Sequence, residues 1–347
     1  MLSVFFKTAC IFLISAAGFV LRRRGIIDTP FNRQLSLLQI NVIYPALVLS
    51  SLTHNFTWTT LLANWTLPAG SALIMVIGWI VARLTLPLLR RESAETRGMF
   101  IFQCTINNYS FLPIMLAATL LNEMGVAQII FSAIGAELVV WTLGIHALIG
   151  AVSVPEPVDG GAAPLSGWHR KAHAARALLG QLKHLRSMPL LAMAGGALWL
   201  LLRHHVGTTI DALTATPVGG DVAAMVAKAL EMTGQATIPI AAIIVGSRIG
   251  EIQSKHIFTK PIMLTTGLRL AIIPALATAL IFWLPFPAAI RPALLIVAAQ
   301  PCSMASVMFG EAYRSDARFA ASTVLVTHVL CLLTIPLWLS APWWPHG

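Results

Sequence analysis

Ten long apolar stretches, separated by short polar or basic loops, run through the chain at 3–21, 35–53, 67–89, 98–121, 126–152, 188–205, 222–249, 261–283, 292–311 and 319–340. Each is close to the ~20 residues that an α-helix needs to cross the hydrocarbon of a bilayer. The pattern predicts an all-α polytopic membrane protein of about ten transmembrane helices. Two spans are interrupted at mid-depth by polar residues and proline: the fourth at Asn107-Asn108-Tyr109-Ser110-Phe111-Leu112-Pro113, the ninth at Gln300-Pro301-Cys302-Ser303. Lipid offers no partner to a freed peptide group, so unwound chain at that depth must line a cavity enclosed by protein. Paired interruptions at matching places in two halves point to the binding site of a carrier.

The longest loop, 155–187, is Gly/Pro-rich and then basic, with Trp168, His169, His173 and His184, and it joins five spans to five. An odd number of spans per half makes the second half enter the membrane inverted relative to the first. An internal match supports a duplication: Asn41-Val42-Ile43-Tyr44-Pro45-Ala46 pairs with Gln235-Ala236-Thr237-Ile238-Pro239-Ile240. Pro45 and Pro239, Arg97 and Arg291, and Asn107 and Pro301 are all 194 positions apart. The expected units are a first five-helix repeat at 1–153, a cytoplasmic linker at 154–187 and a second five-helix repeat at 188–347.

Composition agrees with this reading. Of 347 residues 57% are hydrophobic and 10% charged, against about 25% charged in soluble domains. The net charge of +10 does not indicate nucleic acid, because no basic domain exists to carry such a footprint. Of the 23 lysines and arginines, seventeen fall in loops on one side of the expected topology. Four (Lys7, Arg203, Lys228, Arg291) fall on the other, and Arg83 and Arg269 lie within spans. This positive-inside asymmetry places the protein in the cell (inner) membrane with both termini extracytoplasmic. The first apolar stretch precedes Arg22-Arg23-Arg24, the reverse of a cleavable signal, so it stays as a span. Cys10, Cys104, Cys302 and Cys331 all fall in spans without metal-ligand spacing. No nucleotide-binding loop, channel filter or intramembrane aspartate is present, so neither an enzyme nor a cofactor is expected.

The candidate chemistry sits at the breaks. Asn107, Asn108 and Tyr109 in span 4, with Gln300, Pro301, Cys302 and Ser303 in span 9, offer side-chain amides, hydroxyls and freed peptide groups. Pro113 deletes a backbone donor, and Ser306 follows the second break. The positive ends of half-helices suit a carboxylate; the alternative is a pair of kinks with amides bonding between helices. Asn41 and Gln235, each four residues before a proline, either extend the site or bond the carbonyl that the proline frees. Glu137, in the middle of span 5, is a functional candidate by its depth, with proton carriage as one role and His328 as a partner or a packing residue. Arg269 lies nine residues from Lys260, about 13 Å along a helix. It either snorkels to the cytoplasmic interface or stands as a fixed cation that holds an anionic substrate or pairs with Glu137.

Asn108-Tyr109-Ser110-Phe111-Leu112-Pro113 resembles the fourth-span signature of the auxin efflux carrier family, which includes plant PIN carriers and bacterial malonate and malate permeases. Pro301-Cys302-Ser303-Met304 through Phe309-Gly310-Glu311-Ala312-Tyr313 resembles that family's ninth-span motif, and Ser322-Thr323 to Leu333-Thr334-Ile335-Pro336-Leu337 is similar to its tenth span. The resemblance covers essentially the whole chain. It implies crossed helices 4 and 9, a scaffold of helices 1, 2, 6 and 7, and a transport domain of helices 3–5 and 8–10. It further implies elevator-like movement and small organic anions as substrates, with Asn108 as the crossover asparagine. The chain departs from the pattern at Met115 and Ser306, where many relatives carry a second proline. The expected function is a secondary active or facilitative transporter of a mono- or dicarboxylate, embedded in membrane lipid, with a homodimer among the open assemblies. Its rivals are a ligand sensor without flux and a cation/proton antiporter, the latter disfavoured by the missing aspartates.

Overall fold

A computed structural model describes residues 2–152, 188–251 and 258–340. The linker expected at 154–187, with Trp168, His169, His173 and His184, lies outside the described residues. The described chain is helical, with one isolated antiparallel bridge. Its elements are α1 (Leu2–Arg23), α2 (Thr29–Asn55), α3 (Trp58–Leu89), α4 (Ala94–Thr105), α5 (Phe111–Leu120) and α6 (Glu123–Ile149). There follow α7 (Met188–Thr214), α8 (Pro217–Gln235), α9 (Thr237–Glu251), α10 (Lys260–Trp283), α11 (Arg291–Ala298), α12 (Ser306–Ala312) and α13 (Ala317–Leu339). By length and composition, six stretches among the described residues can each cross a membrane: α2, α3, α6, α8 with α9, α10 and α13.

Local sequence explains where the elements begin. Side-chain oxygens of Asp28, Ser93, Asn122 and Asp316 each accept a backbone N–H in the first turn of α2, α4, α6 and α13, satisfying donors that a helix start leaves orphaned. Three long helices contain a π-turn, at Gln39–Ile43, Val140–Gly144 and Leu268–Ile272. Such a turn rotates the following side chains relative to a regular helix, and such turns cluster at functional sites. The sixth predicted span continues to Thr214 through a kink at Val206, and the seventh is interrupted at Ala236.

Both predicted interruptions exist. Span 4 is divided into α4 and α5, and span 9 into α11 and α12. The first break covers 106–110 and stops short of Pro113, which is the third residue of α5. A first-turn residue has no intrahelical acceptor for its N–H, so proline costs nothing there. Two of the half-helices, α5 and α11, are enclosed: Leu112, Ile114, Met115 and Leu116 of α5 and Leu294, Ile296 and Val297 of α11 are at most 1% exposed.

The tightest helix pair is α1 on α9. A Cβ on Gly246 would strike the Ser15 carbonyl, and one on Gly18 the Ile243 carbonyl, so small residues set this approach. Arg22, Arg248 and the Thr29 hydroxyl converge on the Glu251 carboxylate at 3.3, 3.2 and 2.6 Å. Replacing Gly246 with valine forces backbone apart and is expected to cost about 1–3 kcal/mol. Thermal unfolding in detergent checks this, and an unaltered melting temperature would contradict the close approach.

Candidate functional site

The two unwound stretches lie against each other. Asn107 and Cys302 form an antiparallel bridge; the Asn108 N–H donates to the Pro301 carbonyl at 2.9 Å, and the Ser303 N–H to the Ile106 carbonyl at 3.2 Å. Each break thus satisfies peptide groups that the other leaves open, which is the condition for non-helical chain inside a membrane. Side chains complete the arrangement. Nδ2 of Asn107 donates to the Val297 carbonyl at 2.7 Å, capping α11, and Nε2 of Gln300 to that of Ile296 at 2.7 Å. The Ser306 hydroxyl donates to the Ser303 carbonyl at 2.6 Å. Asn107, Asn108, Gln300, Pro301, Cys302 and Ser303 are therefore brought together, all buried. Met115 is buried in the regular part of α5, and Ser306 opens α12.

Arg269 does not snorkel. The π-turn Leu268–Ile272 carries it into the bundle, where it is fully buried. Its Nη1 donates to the Cys104 carbonyl at 2.9 Å and its Nε to the Gln300 carbonyl at 3.1 Å. The guanidinium thus joins the end of α4 to the chain leaving α11, two places where a cation opposes the negative end of a helix dipole. Nη2 has no partner, and among the described residues no acid lies within ion-pair distance of Arg269. Nearby amides leave acceptors open: Oδ1 of Asn107 and Oε1 of Gln300 are buried without partners.

Glu137 pairs with neither Arg269 nor His328. Its carboxylate accepts from the Tyr109 hydroxyl and from Nε1 of Trp141, both at 2.9 Å. Tyr109 follows Asn108 in the break, so this carboxyl reaches the crossing through one phenol. His328 meets the crossing directly, with Nε2 3.3 Å from Nδ2 of Asn108. Asn41 and Gln235 are not brought to it: both are exposed and bond within their own helices, to the Leu37 carbonyl and the Glu231 carboxylate. The buried amides of α2 are Asn32 and Gln39, the latter donating to the Thr237 carbonyl; the helical phase of α2, with Asn41 on its open face, carries that signal. Trp141 was legible from its spacing of four from Glu137, the separation of neighbours on one helix face. Among the described residues no three His, Cys, Asp or Glu gather as metal ligands would. An open depression of about 300 Å³ lies elsewhere, lined by Arg22, Asp28, Gly250 and Glu251.

Long apolar helices, and a pair of broken ones joined through their breaks, make the described residues those of a helical integral membrane protein. Residues 3–339 match the family described as Membrane transport protein, and the chain belongs to that family. A stretch of 123 residues, 34% of the chain, is 29% identical to Protein PIN-LIKES 1 of Arabidopsis thaliana and covers 25% of that protein. The chain thus matches a quarter of the length of that curated relative. The auxin efflux carrier relationship read from the two motifs holds.

Proposed function

We propose that the protein carries a small organic anion, a mono- or dicarboxylate, across the inner membrane, binding it at the crossing of the two broken spans. The observation that carries this reading is Arg269, a fully buried guanidinium with one nitrogen unpaired and no acid partner among the described residues. An uncompensated buried charge costs several kcal/mol, and backbone carbonyls offset only part of it. A carboxylate arriving at Nη2 supplies the missing counter-charge. The N-terminus of α5, whose Ser110 makes no side-chain cap, adds peptide donors and a favourable dipole.

An inverted repeat belongs to this reading and gives it an alternating-access mechanism. Moving the bounds of α4 and α5 by 194 positions gives 288–299 and 305–314, against a turn and helix over 288–298 and α12 at Ser306–Ala312. Glu123, the start of α6, moves to Ala317, the start of α13. The Thr237 hydroxyl donates at 3.4 Å to the Ile43 carbonyl, 194 positions away, as residues beside a pseudo-two-fold axis do. In this reading spans 1, 2, 6 and 7 form a static scaffold, and spans 3–5 and 8–10 move past it with the bound anion. Asn108 and Ser303 are only 5% exposed, so admission of a ligand requires that movement.

Counterflow of radiolabelled mono- and dicarboxylates into liposomes loaded with the same acid tests the proposal. Exchange through wild-type protein and a loss of ten-fold or more in Asn108→Ala, which elutes as a folded protein, are expected. Ligand-induced stabilisation without exchange would mark a sensor, and the absence of both for every acid would overturn the anion site.

A further inference from the structure

Asn108 and His328 meet across 220 positions of sequence, and the chemistry of the imidazole decides how the amide must sit. Nδ1 of His328 lies 2.9 Å from the Val324 carbonyl, one turn back in α13. A carbonyl only accepts, so Nδ1 carries the proton, and Nε2 of the neutral ring is then an acceptor. A protonated ring would set two donors face to face at the 3.3 Å contact with Nδ2. With Nδ2 at that contact, the amide turns its NH2 to the neutral ring. Its oxygen faces the other way and accepts no hydrogen bond among the described residues.

This oxygen adds to an imbalance at the crossing. Oδ1 of Asn107 and Oε1 of Gln300 are also open acceptors, while Nη2 of Arg269 is an open donor. The Asn108 N–H holds the Pro301 carbonyl and Nε of Arg269 the Gln300 carbonyl, so cation and acceptors sit on neighbouring peptides. A plain carboxylate brings acceptors alone. It answers the guanidinium and leaves the amide oxygens without donors.

We propose that His328 is a positioning residue that locks the Asn108 amide with its oxygen toward the ligand, so that the crossing selects a carboxylate that also carries an O–H or N–H donor. The inference rests on the anion-carrier reading and narrows its substrate class. It also gives His328 a role other than packing, since both ring nitrogens are used and only one of them bonds within its own helix.

Counterflow with matched pairs of acids that differ by one hydroxyl, lactate against propionate and malate against succinate, tests it. Wild-type protein should take the hydroxy acid roughly ten-fold better, the worth of one added hydrogen bond. In His328→Phe the acceptor is gone and the amide turns freely. The preference, read as the ratio of the two acids so that any general loss of uptake cancels, should fall to about unity, and a single symmetric elution peak checks that the variant folds. His328→Gln keeps an acceptor for Asn108 and a donor for Val324, and should restore the preference. Equal wild-type uptake of both members of each pair, or full preference in His328→Phe, overturns this inference and leaves the carrier standing. Absence of exchange for every acid overturns the carrier itself. Should His328→Phe fail to fold, the wild-type ratio and the glutamine variant decide.

Discussion

Replacing Arg269 with methionine is expected to abolish transport while leaving the protein folded. Two opposing effects fall on stability. The carbonyls of Cys104 and Gln300 lose their donors, at about 1–3 kcal/mol each for buried groups. Against this, a lone buried charge disappears, and exchanging buried ions for apolar side chains of similar volume is often neutral or stabilising. The melting temperature should therefore move little. Binding has no such offset, because the one free charged donor at the crossing is gone, a loss of about 1.5–3 kcal/mol for a charge-assisted bond and so roughly ten- to hundred-fold in affinity. Arg269→Lys keeps the charge but not the planar fork that spans two carbonyls, so it should retain weak uptake with a lower melting temperature. Liposome uptake beside thermal unfolding measures both, and wild-type uptake by the methionine variant would remove Arg269 from the site.

Glu137→Gln is expected to separate exchange from accumulation. Both carboxylate oxygens of Glu137 are occupied, one by the Tyr109 hydroxyl and the other by Nε1 of Trp141. A proton arriving on either oxygen turns an acceptor into a donor and displaces one of these groups. When the displaced group is Tyr109, the residue beside Asn108 moves, which links a proton to the proposed anion site. The amide mimics the protonated acid permanently. Counterflow, which needs no net proton movement, should persist in the variant, whereas accumulation driven by an inward proton gradient should fall by ten-fold or more. Undiminished accumulation would deny Glu137 a coupling role. A Tyr109→Phe variant should share part of the defect, since its phenol is the link.

The breaks were legible in the sequence because they violate a rule with few exceptions: polar residues and proline do not interrupt a lipid-exposed span without a partner. That rule located Asn107, Asn108 and Gln300–Ser303. It placed the end of the first break at Pro113, because a proline inside an apolar run reads as a breaker, and only its position in the first turn of α5 removes the conflict. Of the two readings of Arg269 the structure keeps the fixed cation, and a regular 1.5 Å rise per residue could not choose between them because it does not anticipate the π-turn at Leu268–Ile272. Asn41 drew attention through its spacing from Pro45, yet Asn41 is exposed and Gln39, two residues earlier, is a buried amide. Partners on distant segments left no local trace: nothing near Asn108 in the chain announces His328.

The single backbone rung between Asn107 and Cys302 also has a meaning for biogenesis. A ribosome delivers the fourth span long before the ninth, so for an interval the Asn108 N–H and the Ile106 carbonyl wait without the partners that they hold in the finished molecule. Residues 1–153 synthesised alone should then be trapped by quality-control proteases, and co-synthesis of 188–347 as a separate chain should rescue them.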